Sequence, residues 1–391
     1  DRTTGLTGVR SSHIWTVTGP TGRCSPPSKQ APTMSEKISL PIVDQDGPDS
    51  GQSSGCPSSQ GGSKKSGRVL GTHEPSQSER ISGPARPDHQ YQEDEAGERP
   101  DWLRKRMSMN EEFFETKQLV DEADLNTVCE SASCPNIGEC WSRKALTFMI
   151  LGNVCTRSCG FCDVQTGKPN QVDEDEPRRV AESLASLDLN YVVITSVDRD
   201  DLEDGGAGIW AETIRRCKEA CPDMGLEVLT PDFKGDVGDV QTVLDAGPDC
   251  FAHNIETVEQ LHRTVRPQAK YQRSLDVLQY AKKNGQSLVK SGMMLGLGET
   301  TEQTLETMED LADHGVDILN LGQYLRPSKR HLPVKRWVHP DEFDELAEAG
   351  EAMGFKHVEA GPLVRSSYKA DQQAETIAEK EGWDAVPKCA K

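Results

Sequence analysis

From residue 146 onward, short apolar runs alternate with helical patterns, and this alternation limits the fold more than any other feature of the sequence. The predicted strands are 146–151, 191–195, 226–229, 250–254, 288–294 and 318–321, and the predicted helices are 177–187, 208–221, 237–246, 271–284 and 301–315. Mostly apolar runs of this length are typical of strands buried on both faces. The alternation predicts an α/β fold with a parallel sheet, and six units closing partway give a partial (β/α)6 TIM-like barrel.

Each of the unusual loops in this region directly follows a predicted strand. The loops are 155–162, 204–207, 230–233, 253–256, 296–299 and 322–327. Active sites of parallel barrels lie at the carboxyl ends of the strands, in the loops that follow them. We therefore expect these loops to meet on one face and to form an active site there.

Six of the twelve Cys residues are concentrated between positions 129 and 162. They form a first triad and a second triad, which are Cys129, Cys134, Cys140 and Cys155, Cys159, Cys162. Three thiolates leave one iron of a four-iron cluster open, which indicates chemistry at that iron rather than plain electron transfer. Zinc is an alternative, although zinc sites usually use paired C-x2-C spacings and these triads contain one such pair. Redox-active dithiols need fewer cysteines than are present here.

Composition and charge divide the chain into four predicted regions. Residues 1–95 are rich in Ser, Gly, Pro, Gln and Asp, which predicts a disordered low-complexity tail. Residues 96–145 form an N-terminal extension that carries the first triad, 146–340 the barrel, and 341–391 a C-terminal helix and tail. The net charge of −20 argues against a nucleic-acid partner. No apolar run is long enough to predict a membrane span.

The cysteine usage also bears on the compartment. Clustered cysteines without a signal-peptide pattern favour a reducing compartment, and we expect a cytoplasmic protein. Residues 1–33 contain a single acid, Asp1, among basic and hydroxyl residues, so their composition is similar to that of a transit peptide. The mitochondrial matrix is therefore an alternative. The favoured interpretation is an over-extended start that precedes Met34, because Asp1 is not a start residue.

The second triad has the spacing Cys-x3-Cys-x2-Cys, carries Phe161 before its last cysteine, and follows the first predicted strand. In these features it resembles the radical S-adenosylmethionine superfamily. The resemblance implies a 4Fe-4S cluster on the second triad, with S-adenosylmethionine bound to its open iron. It also implies that reductive cleavage of this cofactor yields a 5′-deoxyadenosyl radical.

The same resemblance implies cofactor contacts in the loops after the strands. Asp204, Gly205 and Gly206 match the superfamily's second-strand loop, where glycine lets the backbone approach the methionine amine, although a plain turn is the alternative. The segment around Gly296 resembles the part of the fifth strand that packs on adenine. Further candidates for polar contacts, each of which could equally be a satisfied residue at a strand end, are Glu227, His253, Asn254 and Glu256.

The first triad narrows the resemblance. Its spacing Cys-x4-Cys-x5-Cys upstream of the second triad is similar to that of the lipoyl synthase family, as are segments 100–104, 130–141, 227–233, 322–328 and 365–370. This resemblance implies a sulfurtransferase of lipoate biosynthesis whose first triad holds an auxiliary 4Fe-4S cluster. A serine of Arg-Ser-Ser-Tyr would complete that cluster, with Ser367 as the implied ligand and Ser366 as the alternative. Where many relatives have His after this motif, the chain has Lys369.

The implied reaction inserts two sulfur atoms, at C6 and C8 of an octanoyl chain on a lysine of a lipoyl carrier domain. The carrier would be a 2-oxoacid dehydrogenase E2 or the glycine cleavage H protein, the sulfur would come from the auxiliary cluster, and a ferredoxin or flavodoxin would supply electrons. Basic residues that could meet an acidic carrier, or simply be solvated, are Arg104, Lys105, Arg106, Arg326, Lys329, Arg330, Lys335 and Arg336. The alternatives are another radical enzyme that inserts sulfur or methylthio groups, a two-cluster electron-transfer protein and a zinc scaffold.

Overall fold

A parallel sheet of seven strands forms the centre of the molecule. The computed structural model describes residues 93–104, 109–122, 125–187 and 189–381. Sheet order follows chain order, and all neighbouring strands are parallel. The strands are β1 (Thr147–Ile150), β2 (Tyr191–Ser196), β3 (Gly225–Leu229), β4 (Cys250–Ala252), β5 (Leu288–Leu295), β6 (Ile318–Gln323) and β7 (His357–Gly361).

Helices connect the strands and flank the sheet. They are α1 (Glu111–Glu122), α2 (Val128–Ser131), α3 (Ile137–Ser142), α4 (Glu176–Leu187), α5 (Ala207–Ala220), α6 (Val237–Asp245), α7 (Glu259–Val265), α8 (Tyr271–Asn284), α9 (Thr301–Asp313), α10 (Pro340–Met353) and α11 (Ala370–Glu381). Consecutive β/α units with β1 and β7 at the two sheet edges form a partial TIM-like barrel. No helix among the described residues combines the length and the apolar character needed to span a bilayer.

The sequence predictions of the α/β class and of the six strands are confirmed. Each predicted strand and helix agrees with the structure to within two residues at either end. The structure adds β7, which pairs with β6 and which the apolar pattern did not predict. The predicted tail up to residue 92, together with Lys105 and Arg106, lies outside the described residues.

Polar caps set the starts of the helices that follow the strands. Asp236 accepts hydrogen bonds from the backbone N–H groups of Gly238 and Asp239 at the start of α6. Thr300 and Gln303 form a capping box at the start of α9. Because the caps satisfy N–H groups that the first helical turn leaves unpaired, each loop after a strand passes into its helix at a defined residue.

The N-terminal extension packs on the edge strand β1. Thr127 forms an antiparallel bridge with Phe148, and Trp141 of α3 stacks on Phe113 of α1 with ring centroids 5.6 Å apart. From the other edge, α11 contacts β7 and β2, and its Ile377 lies in an apolar cluster with residues at the amino ends of β4 and β6. The end of the N-terminal extension and the C-terminal segment are also in direct contact, because Arg143 pairs with Asp371.

Candidate active site

The second triad occupies the loop after β1. Leu151 and Gly152 turn the chain with positive φ angles of 65° and 87°. A short parallel pair, Val154–Cys155 with Gln165–Thr166, then closes the loop around Cys159 and Cys162. The Cys162 thiol interacts electrostatically with the other two thiols, so the three sulfurs lie near one another.

Arg157 anchors this loop from within the triad. Its guanidinium is 4% exposed and forms ion pairs with Asp198 at 3.1 Å, Asp200 at 2.7 Å and Asp232 at 2.6 Å. Burial raises the pKa of Asp232, but its hydrogen bond and charge interaction with Arg157 outweigh burial and hold the pKa well below the usual value. Sequence reasoning did not assign these four residues, although their acids follow β2 and β3.

The backbone of Gly160 ties the loop to two other segments. Its N–H donates to the carbonyl of Val265 at 2.8 Å, and its carbonyl accepts from the N–H of Leu332 at 3.0 Å. The carbonyl of Cys162 lies 3.0 Å from Nε2 of His331. The end of α7 and the segment before α10 therefore hold the loop on both sides.

Buried polar groups surround the second triad. Asp198 after β2, Glu256 after β4 and Arg266 after α7 interact electrostatically with Cys159. The buried side-chain atoms without a hydrogen-bond partner in the described part of the chain include Ser196 Oγ, Asn254 Oδ1 and Arg266 Nε. Buried polar groups are normally paired, so these atoms fit a bound polar ligand such as the amino acid or ribose part of S-adenosylmethionine. The sequence predicted Asn254 but missed Ser196 and Arg266.

Burial also governs the thiols of the second triad. It raises the pKa of Cys155 and Cys162 to about 12 and that of Cys159 to about 11, although Arg266 lowers the value for Cys159. Iron binds thiolates, so cluster binding must displace these protons. Among the described residues, no group of three or more His, Cys, Asp or Glu side chains has the spacing of a single-metal site.

The predicted segments after β2 and β5 form compact turns. The Asp204 carboxylate accepts from the N–H groups of Gly206 and Gly208, each at 2.9 Å, and so caps α5. A Cβ at Gly206 would lie 2.5 Å from a methyl group of Leu151, and one at Gly296 would lie 2.2 Å from Nε2 of Gln323. These close approaches explain the glycines by packing, and their predicted cofactor contacts stay predictions.

Glu227 and Phe161 have partners within the protein. Glu227 is 1% exposed, and its carboxylate accepts from Nζ of Lys290 at 3.0 Å and from the Tyr191 hydroxyl at 3.1 Å. The alternative interpretation of Glu227, a satisfied residue on a strand, describes these contacts. Phe161 packs against an apolar cluster that includes Leu297 and lies beside the segment after β5.

The first triad surrounds a separate cavity of about 180 Å³. Thr127 caps α2, which carries Cys129, and Cys140 lies in α3. The N–H of Cys134 donates to the carbonyl of Cys129 at 3.0 Å, which closes the turn between them. All three cysteines and Ser367 line the cavity. The donor set of three thiols and one hydroxyl fits an iron–sulfur cluster with one oxygen ligand.

The segment that carries Ser367 is held on both sides. Its hydroxyl accepts a hydrogen bond of 2.9 Å from Oγ1 of Thr147, and Asn136 donates to the carbonyl of Leu363. Asn320 donates to the carbonyls of Arg365 and Ser366, while Ser366 is not among the residues that line the cavity. Of the two serines that the sequence left open, Ser367 is the one that lines the cavity, and its role as a ligand stays a prediction.

Burial dominates the electrostatics of the first triad as well. It raises the pKa of Cys129 to about 11 and that of Cys140 to about 12. The neighbouring Cys134 thiol raises the pKa of both groups further.

The two triads lie at opposite ends of β1. Thr147, the first residue of β1, lines the cavity of the first triad together with Tyr191, the first residue of β2. The second triad follows the other end, and β1 spans about 10 Å at the usual rise per residue. Ser133 donates to the Asp163 carboxylate at 3.1 Å, so the residues next to Cys134 and Cys162 are in contact.

Comparisons with known proteins bear on the family of this chain. A family model described as the Radical SAM superfamily matches residues 149–311. The chain is similar to the lipoyl synthase of Rubrobacter xylanophilus, at 56% identity over 71% of this chain and 87% of that protein. It is also similar to the lipoyl synthase of Flavobacterium johnsoniae, at 53% identity over 70% of this chain and 95% of that protein.

A relative named as mitochondrial lipoyl synthase, from Nematostella vectensis, is 50% identical over 70% of this chain and 94% of its own length. Among solved structures, methylornithine synthase is similar with a TM-score of 0.45 and 14% identity, over 73% of this chain and 95% of that one. The chain therefore belongs to the lipoyl synthase family of the radical SAM superfamily.

Proposed function

We propose that the chain inserts sulfur at C6 and C8 of an octanoyl group on a lysine of a lipoyl carrier domain, and that the sulfur comes from an auxiliary 4Fe-4S cluster on the first triad. The observation that carries this proposal is the cavity shared by Cys129, Cys134, Cys140 and Ser367. A radical enzyme that only cleaves S-adenosylmethionine has no need of a second site of this kind. The short contact path between the triads further supports two centres acting on one substrate chain.

The residues of the chain have distinct tasks in this reaction. When bound, the cofactors supply a radical at the second triad and sulfur at the first. Arg157 and its carboxylate partners hold the second-triad loop in place, while Ser196, Asn254 and Arg266 offer polar atoms to S-adenosylmethionine. Met149 and Ile150 of β1, which are buried, exclude water from the strand between the two sites. Dry walls protect a carbon radical from side reactions.

The octanoyl group arrives on a protein, so a docking surface is needed. Half of the predicted basic residues are engaged by carboxylates, namely Arg104 by Glu98, Arg326 by Asp94, Lys335 by Glu95 and Arg336 by Glu342. Lys329 and Arg330 are exposed on the loop after β6. Arg326 donates hydrogen bonds to two carbonyls of this loop, and His331 of the same loop contacts the second-triad loop. We propose that the carrier, either an E2 domain or an H protein, docks on this loop. We propose a ferredoxin or flavodoxin as the electron donor.

Two cysteine variants test the proposed division of labour. Cys159→Ala should abolish 5′-deoxyadenosine formation, because the cluster that binds S-adenosylmethionine loses a ligand. Cys134→Ala should still form 5′-deoxyadenosine but should leave the carrier mass unchanged. Both products are measured by mass spectrometry after anaerobic incubation with octanoylated carrier, reductant and S-adenosylmethionine. Cys221→Ala, at a buried cysteine outside both triads, is the matched control.

The same assay separates the other candidate functions. If the wild-type protein formed 5′-deoxyadenosine without adding mass to the carrier, a different radical enzyme that inserts sulfur or methylthio groups would be favoured. If neither product formed in the reconstituted protein, an electron-transfer role would be favoured. If Cys134→Ala and Cys159→Ala lost both products alike, the assignment of separate tasks to the two triads would be wrong.

A further inference from the structure

A buried hydroxyl at the start of β1 contacts the serine of the first-triad site. Thr147 is 3% exposed, and its Oγ1 donates to Oγ of Ser367 at 2.9 Å. Thr147 also lines the first-triad cavity together with Cys129. One residue of the barrel therefore hydrogen-bonds to the serine that we assign to the auxiliary cluster, although the two lie far apart in the sequence.

The identity of this residue needs an explanation. β1 is buried along its whole length, and valine has nearly the shape of threonine and suits a buried strand at least as well. A buried hydroxyl is costly unless it is hydrogen-bonded. In the described residues the hydrogen-bond partner of this hydroxyl is Ser367, so the hydrogen bond to Ser367 explains why the residue is a threonine.

A hydrogen bond donated to a metal-bound oxygen changes that oxygen as a ligand. It fixes the direction of the oxygen lone pairs, and it withdraws electron density that would otherwise strengthen the bond to iron. Groups that hydrogen-bond to ligands in this way commonly alter metal affinity by about 10- to 100-fold. Serine is already a harder and less usual ligand for iron than cysteine.

We propose that Thr147 is a positioning residue that aims Ser367 at the auxiliary cluster and weakens its bond to iron. The proposal rests on the proposed function, since it requires a cluster on the first triad. A ligand that leaves readily is what a cluster needs if it is to give up its sulfur. Thr147 thus makes Ser367 the weakest of the four attachments.

Iron release tests this assignment without depending on turnover. The full chain with Cys159→Ala carries a cluster on the first triad alone, and its loss to an iron chelator is followed anaerobically by absorbance. Adding Thr147→Val should slow release about tenfold, because the Ser367 oxygen becomes a stronger donor. The reduction potential of the cluster, measured by titration with electron paramagnetic resonance detection, should decrease. Thr147→Ser keeps the hydroxyl and should restore the fast release.

A double-mutant comparison separates the hydrogen bond from a change in packing. With Ser367→Ala present, adding Thr147→Val should change the release rate no further, because the acceptor is gone. Release from Thr147→Val at the original rate or faster, or an equal effect with and without Ser367, would overturn the role of Thr147 and leave the auxiliary cluster in place. If the Cys159→Ala chain bound no cluster, the proposed function itself would be wrong.

Discussion

At the scale of single residues, His253 shows how burial beside Arg266 keeps a histidine side chain neutral. Its Nδ1 lies 2.9 Å from the carbonyl of Thr230, and its Nε2 lies 2.9 Å from the Ser274 hydroxyl. A carbonyl can only accept, so Nδ1 carries the proton and Nε2 accepts from Ser274. Burial, with the nearby positive charge of Arg266, lowers the pKa of His253 to about 4.

This lowered pKa predicts a loss of stability in mild acid. The unfolded chain binds a proton at His253 below about pH 6.5, while the folded chain does so only near pH 4. Between pH 7.5 and 5.5 the free energy of unfolding should therefore decrease by about 1 kcal/mol on account of this residue. Urea unfolding at both pH values, for the wild type and His253→Gln, measures the difference. Equal decreases in the two proteins would contradict it.

Residue spacing yields the candidate ligands but not the groups around them. Both cysteine triads were predicted from their spacing and Ser367 from a resemblance; the first triad and Ser367 line one cavity, and their roles as ligands stay predictions. Glu227 was a candidate for the cofactor because it lies near a strand end, but spacing does not reveal that Lys290 pairs with it from another strand. Arg157 and Ser196 were missed for the same reason, because ion pairs and buried unpaired polar atoms can be recognised only in the folded chain.

At the scale of elements, β7 was missed because its inner face is polar. Among its residues His357–Gly361, Val358 is buried, while His357 and Glu359 contact each other at 3.3 Å. An apolar run therefore cannot signal this strand, although its pairing with β6 is regular. The other six strands are predictable because helices or the barrel interior cover both of their faces.

The close packing of Gly322 in β6 against the chain after β7 predicts a substitution that disrupts the first-triad site. A Cβ at Gly322 would lie 2.1 Å from the carbonyl oxygen of Val364, so Gly322→Ala must displace the segment that carries Ser367. Iron content after anaerobic reconstitution should decrease from about eight to about four per chain, with 5′-deoxyadenosine formation retained. Gly361→Ala is the control, because its Cβ would meet Val364 Cγ2 at an ordinary 3.4 Å. Full iron content in Gly322→Ala would show that the segment tolerates the shift.

At the scale of the whole molecule, the first-triad cavity lies where the segment that carries the first triad meets the segment that carries Ser367. Tyr368 donates to Glu139, and Arg143 pairs with Asp371 at 2.8 Å, so the N-terminal extension and the C-terminal segment are joined directly. The sequence predicted both regions and their cysteines and serine. It did not predict that they meet at the amino ends of the strands, because contacts over such sequence separations leave no local pattern.

At the opposite end of the barrel, the loop that carries Lys329 and Arg330 is where we expect the carrier to bind. In a chain of net charge −20, the exposed Lys329 and Arg330 lie on the loop that touches the second triad through His331. Lys329→Glu with Arg330→Glu should raise KM for octanoylated carrier on the order of tenfold at low salt, with kcat little changed, because encounter is slowed. The effect should shrink as salt increases. Arg215→Glu with Lys283→Glu, on α5 and α8, makes the same charge change elsewhere and should leave KM unaltered. An equal rise in both double variants would mean that net charge, rather than this loop, governs carrier binding.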